Sequence, residues 1–299
     1  VNLYFYRGEK PNFGDELNTW MWPKLIQDVW DQGDGSTFLG IGSIIFDFFP
    51  SDKRKIVFGA GYGGYTPLPA IDDNWKFYFV RGKLTAKALG IDEKLGIGDA
   101  AILLRSCVKH KVEKRHKVSF MPHWGSTFVG NWELACKYGS INYIDPCAPV
   151  DVVLEQILAS ELVITEAMHG AIVSDALRVP WIPLQPLSSI HAMKWFDWAS
   201  ALDIDLKPHK IVSSSLLESV VQFFDNHNSS IAGKFRRRGQ FLLKVAPQTF
   251  AQRAAETLIT ISKNNPCLSS DKAIESSHDQ MLSKLNELVL DLGRGKLIY

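Results

Sequence analysis

The sequence predicts an α/β protein with two parallel sheets, on three observations. From residue 2 to residue 184, short apolar strand signals alternate with helix signals. A charged stretch at 109–117, nearly free of apolar residues, interrupts the alternation, and the same pattern restarts behind it. The chain has 299 residues, 46% of them hydrophobic and 22% charged, which supports two modest domains without a disulfide or metal staple. Alternation of this kind marks parallel strands covered by helices on both faces.

Taken in order, residues 2–6 form a β-type run, followed by a glycine-containing loop and an apolar-periodic helix over 15–29. Strands are predicted at 38–42, 55–59 and 77–80, and a short helix at 84–89 is closed by Gly90. Residues 100–104 fit a strand or a short helix. Behind the linker come a strand at 118–121, a helix at 132–138 closed by Gly139, and a strand at 141–144. A helix capped by Asp151 then runs to 159. A strand at 162–165, a helix at 168–177 and a strand at 181–184 complete the alternation. Amphipathic helices follow at 213–224, 250–261 and 272–292, and the polar stretch 264–277 reads as a linker. The last helix packs on its own domain, pairs with a second chain or touches a membrane. The predicted domains are 1–112, 113–212 and a set of C-terminal helices at 213–299.

Composition narrows the function. A net charge of +1 offers no basic excess for a phosphate backbone, so no nucleic acid is expected. Cys107, Cys136, Cys147 and Cys267 form no Cys-x-x-Cys pair and sit at no zinc spacing, so no metal is expected and reduced thiols are. The sequence opens without the features of a signal peptide, and no apolar run reaches the length of a membrane span, which points to a cytoplasmic protein.

In open parallel sheets ligands bind beyond the carboxyl ends of strands, where helix N-termini favour anions. Five such places stand out. Asn12-Phe13-Gly14-Asp15 combines a tight turn with an acid that serves as a helix cap or as a catalytic group. Gly40-Ile41-Gly42-Ser43 lets backbone approach a ligand or a neighbouring strand, and 59–64 reads as a plain turn. Arg81 ends a strand, placed for a phosphate or carboxylate or for a surface ion pair. His123 follows the first strand behind the linker, as an anion donor or an exposed loop residue. The fifth place is Thr165-Glu166-Ala167-Met168-His169-Gly170-Ala171. A charged residue follows a strand there, and a histidine able to move protons near neutral pH opens a helix.

At these residues the sequence resembles the polysaccharide pyruvyltransferase family, and within it the opening Tyr6-Arg7-Gly8 with Pro11-Asn12-Phe13-Gly14-Asp15-Glu16-Leu17-Asn18 resembles the succinoglycan and xanthan enzymes. The resemblance is carried by Gly14-Asp15, Gly40-Ile41-Gly42-Ser43, Arg81, Gly98-Asp99-Ala100, His169-Gly170-Ala171 with Leu177-Arg178-Val179-Pro180, and Lys194-Trp195-Phe196-Asp197. It implies a glycosyltransferase-B-like fold, two Rossmann-like domains facing a cleft. It also implies phosphoenolpyruvate as donor substrate, no further cofactor, and a lipid-linked oligosaccharide of the bacterial inner membrane as acceptor. The family's arginine two residues before the histidine is here Ala167, preceded by Glu166. On this reading His169 is the acid/base and Asp15 orients or deprotonates the acceptor hydroxyl, with Glu166 as the alternative base. Arg81, His123, Lys194, Met168 and Gly170 meet the donor; Asn12, Gly14, Asp15, Gly42 and Ser43 meet the acceptor. Lys234 and Arg236 to Arg238 meet acidic headgroups in peripheral membrane contact, or form a solvated helix face. Two other classes of function fit the same fold: a sugar-nucleotide glycosyltransferase, and a non-catalytic subunit of a polysaccharide assembly complex.

Overall fold

A computed structural model describes residues 1–30, 35–109, 111–185, 192–226 and 231–298. Residue 110 of the predicted linker lies outside them. The chain divides into two compact units. One comprises Val1–His110, Met193–Asp205 and Ser269–Tyr299; the other comprises Lys111–Ala192 and Leu206–Leu268.

In the first unit strand β1 (Asn2–Tyr4) leads into helix α1 (Phe13–Leu25) and a two-residue strand, β2 (Ile26–Gln27). Strands β3 (Thr37–Leu39), β4 (Lys55–Phe58) and β5 (Trp75–Phe79) join β1 in a four-stranded sheet of order β1-β3-β4-β5, every pair parallel. Helix α2 (Lys83–Leu89) ends on Gly90, which takes the left-handed conformation at φ 67°. A 3-10 turn at Ala100–Leu103 and helix α3 (Leu104–Cys107) close this stretch.

The second unit repeats the plan: β6 (Ser119–Met121), α4 (Trp132–Gly139), β7 (Asn142–Tyr143), α5 (Val150–Leu158), β8 (Val163–Thr165), α6 (Met168–Ala176) and β9 (Trp181–Pro183). Its sheet runs β7-β6-β8-β9, again all parallel. Helix α7 (Ala192–Ala201) returns the chain to the first unit. Helices α8 (Leu216–Asn226), α9 (Ile231–Arg238) and α10 (Pro247–Ile261) belong to the second. Helix α11 (Asp271–Leu292) and strand β10 (Lys296–Leu297) belong to the first.

The protein is thus α/β with parallel sheets and helices. Strands β4, β6, β8 and β9 are buried at every position, as strands covered on both faces must be. In the first unit the Trp22 ring of α1 stands edge-on to Phe38 and Phe58, with centroids 4.9 and 5.6 Å away. In the second, α4 and α10 share one apolar cluster, in which Trp132, Ala135 and Cys136 meet Ala251, Ala254 and Leu258. Helix α11 lies on its own unit: the Ser277 hydroxyl donates to the Ile97 carbonyl at 2.9 Å, and the Tyr78 hydroxyl to Asp291 at 2.8 Å.

Several boundaries differ from the sequence reading for local reasons. Helix α1 stops at Leu25, not at 29, because Ile26 and Gln27 pair antiparallel with Leu297 and Lys296 from the far end of the chain. Asp15 is not the cap of α1; Asn12 holds that place and Asp15 lies in the first turn. Asp151 likewise lies inside the first turn of α5, with Pro149 at the cap. Gly139 is the last residue of α4, and Ser140 takes the left-handed conformation at φ 49°. Of the two readings of residues 100–104 the helical one holds, as a 3-10 turn at Ala100–Leu103 running into α3 at Leu104, and α11 begins at Asp271, inside the stretch read as a linker.

One close approach tests the first core. A Cβ on Gly40 would lie 2.5 Å from Trp22 Nε1 and 2.8 Å from its ring carbons. The indole is clamped by two aromatic neighbours and cannot yield. Gly40→Ala is expected to destabilise the protein by about 1–3 kcal/mol in urea unfolding, the range for overpacking a filled core.

Candidate active site

Both sheets present their carboxyl ends to the loops that carry the predicted site residues, and each unit gathers its own group. In the first unit the loops after β1, β3, β4 and β5 converge. Asn12 Nδ2 donates to Asp15 Oδ2 at 2.7 Å. Asp15 Oδ1 lies 3.7 Å from where a Cβ on Gly42 would be, and Gly42 itself takes φ +124°, which favours glycine. Gly14 is buried in the first turn of α1, while Asp15 and Ser43 are half-buried.

Arg81 anchors this group from below. Its side chain is 0% exposed. Nε donates to Asp197 Oδ2 at 2.9 Å, Nη1 to Ser43 Oγ at 2.6 Å and Nη2 to the Tyr62 carbonyl at 3.3 Å. Asp197, on α7, also accepts from the Thr85 backbone N–H at 2.8 Å and from the Thr85 hydroxyl at 2.6 Å. The Tyr62 N–H donates back to Thr85 Oγ1 at 3.0 Å. Any Cβ on Gly61 would overlap the guanidinium, and one on Gly82 would overlap the Asp197 backbone. Gly61, read from sequence as part of a plain turn, is therefore required by the close approach of Arg81. The surface ion pair weighed for Arg81 is a buried one, with its charge neutralised by Asp197.

In the second unit the chain runs from β6 through α4 to β7 on one side, then through α5 to β8 on the other. The strand order therefore reverses direction at β6. A crevice outside the carboxyl ends at such a switch point is where open α/β sheets bind ligands. His123 follows β6, and Glu166, Met168, His169 and Gly170 follow β8. Glu166, 5% exposed, accepts the His123 backbone N–H at 2.9 Å, tying the two strand ends together. His123 Nδ1 accepts from the Gly125 N–H at 3.2 Å and caps the turn that follows. His169 is half-buried in the first turn of α6, beside buried Met168. Gly170 has a packing reason: its Cβ would lie 2.5 Å from Thr165 Oγ1 and 2.9 Å from Met121 Sδ. Its N–H donates to the Ala167 carbonyl at 2.9 Å. Lys194 is half-buried on α7, in the first unit with Arg81.

The sequence reading missed three residues of note. Asp197 was seen only as part of a motif around Lys194, yet it is the partner of Arg81. Tyr65 keeps 39% of its surface exposed beside Ser43. Burial of its phenol raises its pKa, opposed by the Arg81 charge and reinforced by Asp15, which places it among the same groups. Glu218, on α8, is a buried carboxyl that accepts Trp132 Nε1 at 2.9 Å, the Ser214 N–H at 2.6 Å and the Ser214 hydroxyl at 2.9 Å. Its own N–H donates to Ser215 Oγ at 3.0 Å. The spacing Ser215-Leu-Leu-Glu218 is a capping-box signal, legible in sequence, although the carboxylate reaches the Ser214 N–H, one residue before the cap. Burial pushes the Glu218 carboxyl up to about 8; the Glu166 charge adds to the rise, and the bonds from Ser214 and Trp132 oppose it. Among the described residues no group of three or more His, Cys, Asp or Glu side chains gathers at metal-ligand spacing.

Comparison with known proteins bears on this arrangement. A family described as polysaccharide pyruvyl transferase matches residues 9–188, a span that includes Asp15, Ser43, Arg81, His123, Glu166 and His169 and ends before Lys194 and Asp197. The chain is 35% identical over 223 residues to the succinoglycan biosynthesis protein ExoV of Rhizobium meliloti (strain 1021), covering 73% of this chain and 70% of that protein. No solved structure matches the chain.

Two stability measurements test the anchors. Asp197→Ala leaves the Arg81 guanidinium buried without its counter-charge and is expected to cost about 3–5 kcal/mol in urea unfolding; a loss below about 1 kcal/mol would show that the pair behaves like a surface contact. For Glu218 the folded carboxyl keeps its proton at pH values where an unfolded glutamate has lost it. Its contribution is therefore full below the unfolded pKa and falls as pH rises to about 8. In Glu218→Gln this decline, on the order of a few kcal/mol between about pH 5 and pH 8 in the wild type, is expected to vanish from a pH series of unfolding curves.

Proposed function

Because the chain belongs to the polysaccharide pyruvyl transferase family, we propose that it transfers pyruvate from phosphoenolpyruvate to a sugar of an exopolysaccharide repeat unit, forming a cyclic ketal. We read the two α/β units as Rossmann-like domains of a glycosyltransferase-B-like fold, a reading supported by two four-stranded sheets that are parallel throughout. The observation that carries the site assignment is the position of His169, which opens a helix at the switch point of the second sheet.

The chemistry dictates the groups needed. A proton is added to the methylene carbon of phosphoenolpyruvate, and positive charge develops on the central carbon. A sugar hydroxyl attacks that carbon and loses its proton. A second hydroxyl of the same sugar attacks as the C–O bond to phosphate breaks, closing the ring. One hydroxyl proton replaces the proton given to the methylene carbon, and the other leaves with inorganic phosphate.

In this reading His169 supplies the first proton and is recharged by a sugar hydroxyl, since an imidazole both gives and takes protons near neutral pH. Glu166 is the alternative base, although its Oε2 is engaged by the His123 backbone. The anionic donor falls to His123 and to the N-terminus of α6, where the helix dipole favours negative charge. Arg81, buried and neutralised by Asp197, holds Ser43 in place, and Lys194 remains a candidate donor contact. Asp15, with Asn12 on its other oxygen, orients or deprotonates the acceptor hydroxyl, and Gly14, Gly42 and Ser43 shape that side. The acceptor proposed is a lipid-linked oligosaccharide.

Phosphate release from phosphoenolpyruvate, measured with and without a lipid-linked oligosaccharide extract, tests the reading. Acceptor-dependent release is expected, reduced by at least about a hundredfold in His169→Ala, the lower end of what a general acid/base contributes. Near-normal release in that variant would remove His169 from its role. No release from folded wild type, joined to saturable binding of a uridine or guanosine nucleotide, would replace pyruvyl transfer with sugar-nucleotide glycosyl transfer.

A further inference from the structure

Between Asp225 and Glu256 the chain carries no acidic residue, while Lys234, Arg236, Arg237, Arg238, Lys244 and Arg253 fall inside that interval. The structure shows how the middle of this interval is arranged. Helix α9 turns Ala232 and Phe235 inward, and the 3-10 turn at Gln240–Lys244 turns Leu242 and Leu243 inward. Phe235, Leu242 and Leu243 pack with Phe128 on a small core of Val129, Leu217 and Val221. Phe235 also stacks on Phe224 of α8, with centroids 5.6 Å apart and planes 9° apart. These contacts hold α8, α9 and the 3-10 turn as one layer.

The residues between the inward ones are left outside. Lys234, Arg237, Arg238 and Lys244 are exposed, and no salt bridge among the described residues engages them; Arg236 is engaged by Asp225. Between these cations stands Phe241, 65% exposed, followed by exposed Val245; Phe223 of α8, edge-on to Phe224, is 58% exposed. A solvated basic face needs no aromatic ring at its centre. Clustered cations with protruding apolar side chains are the composition of a surface that lies on anionic lipid, where the cations meet headgroups and the rings enter the acyl boundary. Among the described residues no helix is long and apolar enough to cross a membrane, so such a contact would be peripheral.

We propose that the face formed by Lys234, Arg237, Arg238, Phe241, Lys244 and Val245 docks on an anionic phospholipid surface. Charge complementarity selects the lipid, and Phe241 separates lipid from a soluble polyanion, which offers nothing to bury a ring. The inference stands apart from pyruvyl transfer, because it is read without donor or acceptor.

Cosedimentation with sonicated vesicles tests it. Wild type is expected to partition onto vesicles of equimolar phosphatidylglycerol and phosphatidylcholine, not onto phosphatidylcholine alone, and to be released as salt rises from about 0.05 M to about 0.5 M. Arg237→Glu with Arg238→Glu and Lys244→Glu should lower the partition coefficient at least about tenfold. Phe241→Ser should lower it by about tenfold with the charges intact. Both variants are expected to keep the wild-type melting temperature, since the altered side chains are exposed. Absence of wild-type binding to the anionic vesicles, or equal binding of wild type and the charge-reversed protein, would overturn the proposal. So would retention on immobilised polyglutamate without vesicle binding, which would point to an acidic protein partner.

Discussion

The first unit depends on one buried ion pair. Arg81 follows β5, the last strand of its sheet, and Asp197 comes from α7, which the chain reaches only after building most of the second unit. Removing both charges from water is expensive, and their attraction offsets that only with further hydrogen bonds to the two groups. Thr85 gives its N–H and its hydroxyl to Asp197, while Ser43 and Tyr62 accept from Arg81. Gly61 and Gly82 are the spaces that let this network close. The strand-end loops are thereby fixed relative to one another, and Asp15 and Ser43 are presented at a built edge rather than on free loops.

The second unit uses a carboxylate differently. Glu166 accepts a backbone N–H and so joins the ends of β6 and β8 on either side of the switch point. A second buried acid, Glu218, raises the electrostatic stakes around it. Two carboxyls in a dry region do not both ionise readily, and Glu218 takes the proton because it is fully enclosed. Glu166 can then remain the partner of the His123 loop. The histidine in the first turn of α6 sits on a framework held by Thr165, whose hydroxyl shares its one proton between the Ala167 and Met121 carbonyls and accepts from the Ala167 N–H. Reactive geometry needs such support, because small misplacements weaken proton transfer steeply.

Membership of the polysaccharide pyruvyl transferase family gives these two groups their chemical meaning. On the function proposed above, a donor that carries a phosphate and a carboxylate, and that is protonated on carbon, would call for an anion-tolerant helix end and a group that moves protons, and a sugar diol for polar side chains presented from strand-end loops.

Alternation of apolar runs, and the glycine that closes α2, were legible in the sequence because hydrophobic periodicity and left-handed caps are local properties. The same holds for His169 at a strand-to-helix turn and for the capping spacing of Ser215 and Glu218. What lay beyond the sequence came from contacts between residues far apart in the chain. The end of α1 is decided by Leu297, and the role of Arg81 by Asp197. Gly40 and Gly170 are required by the close approach of Trp22 and Thr165. A strand-end arginine has the same local pattern whether its guanidinium meets solvent, substrate or a buried carboxylate. Only the tertiary fold brings the carboxylate to it, and with it the burial that turns a positive charge from a surface feature into the support of a site.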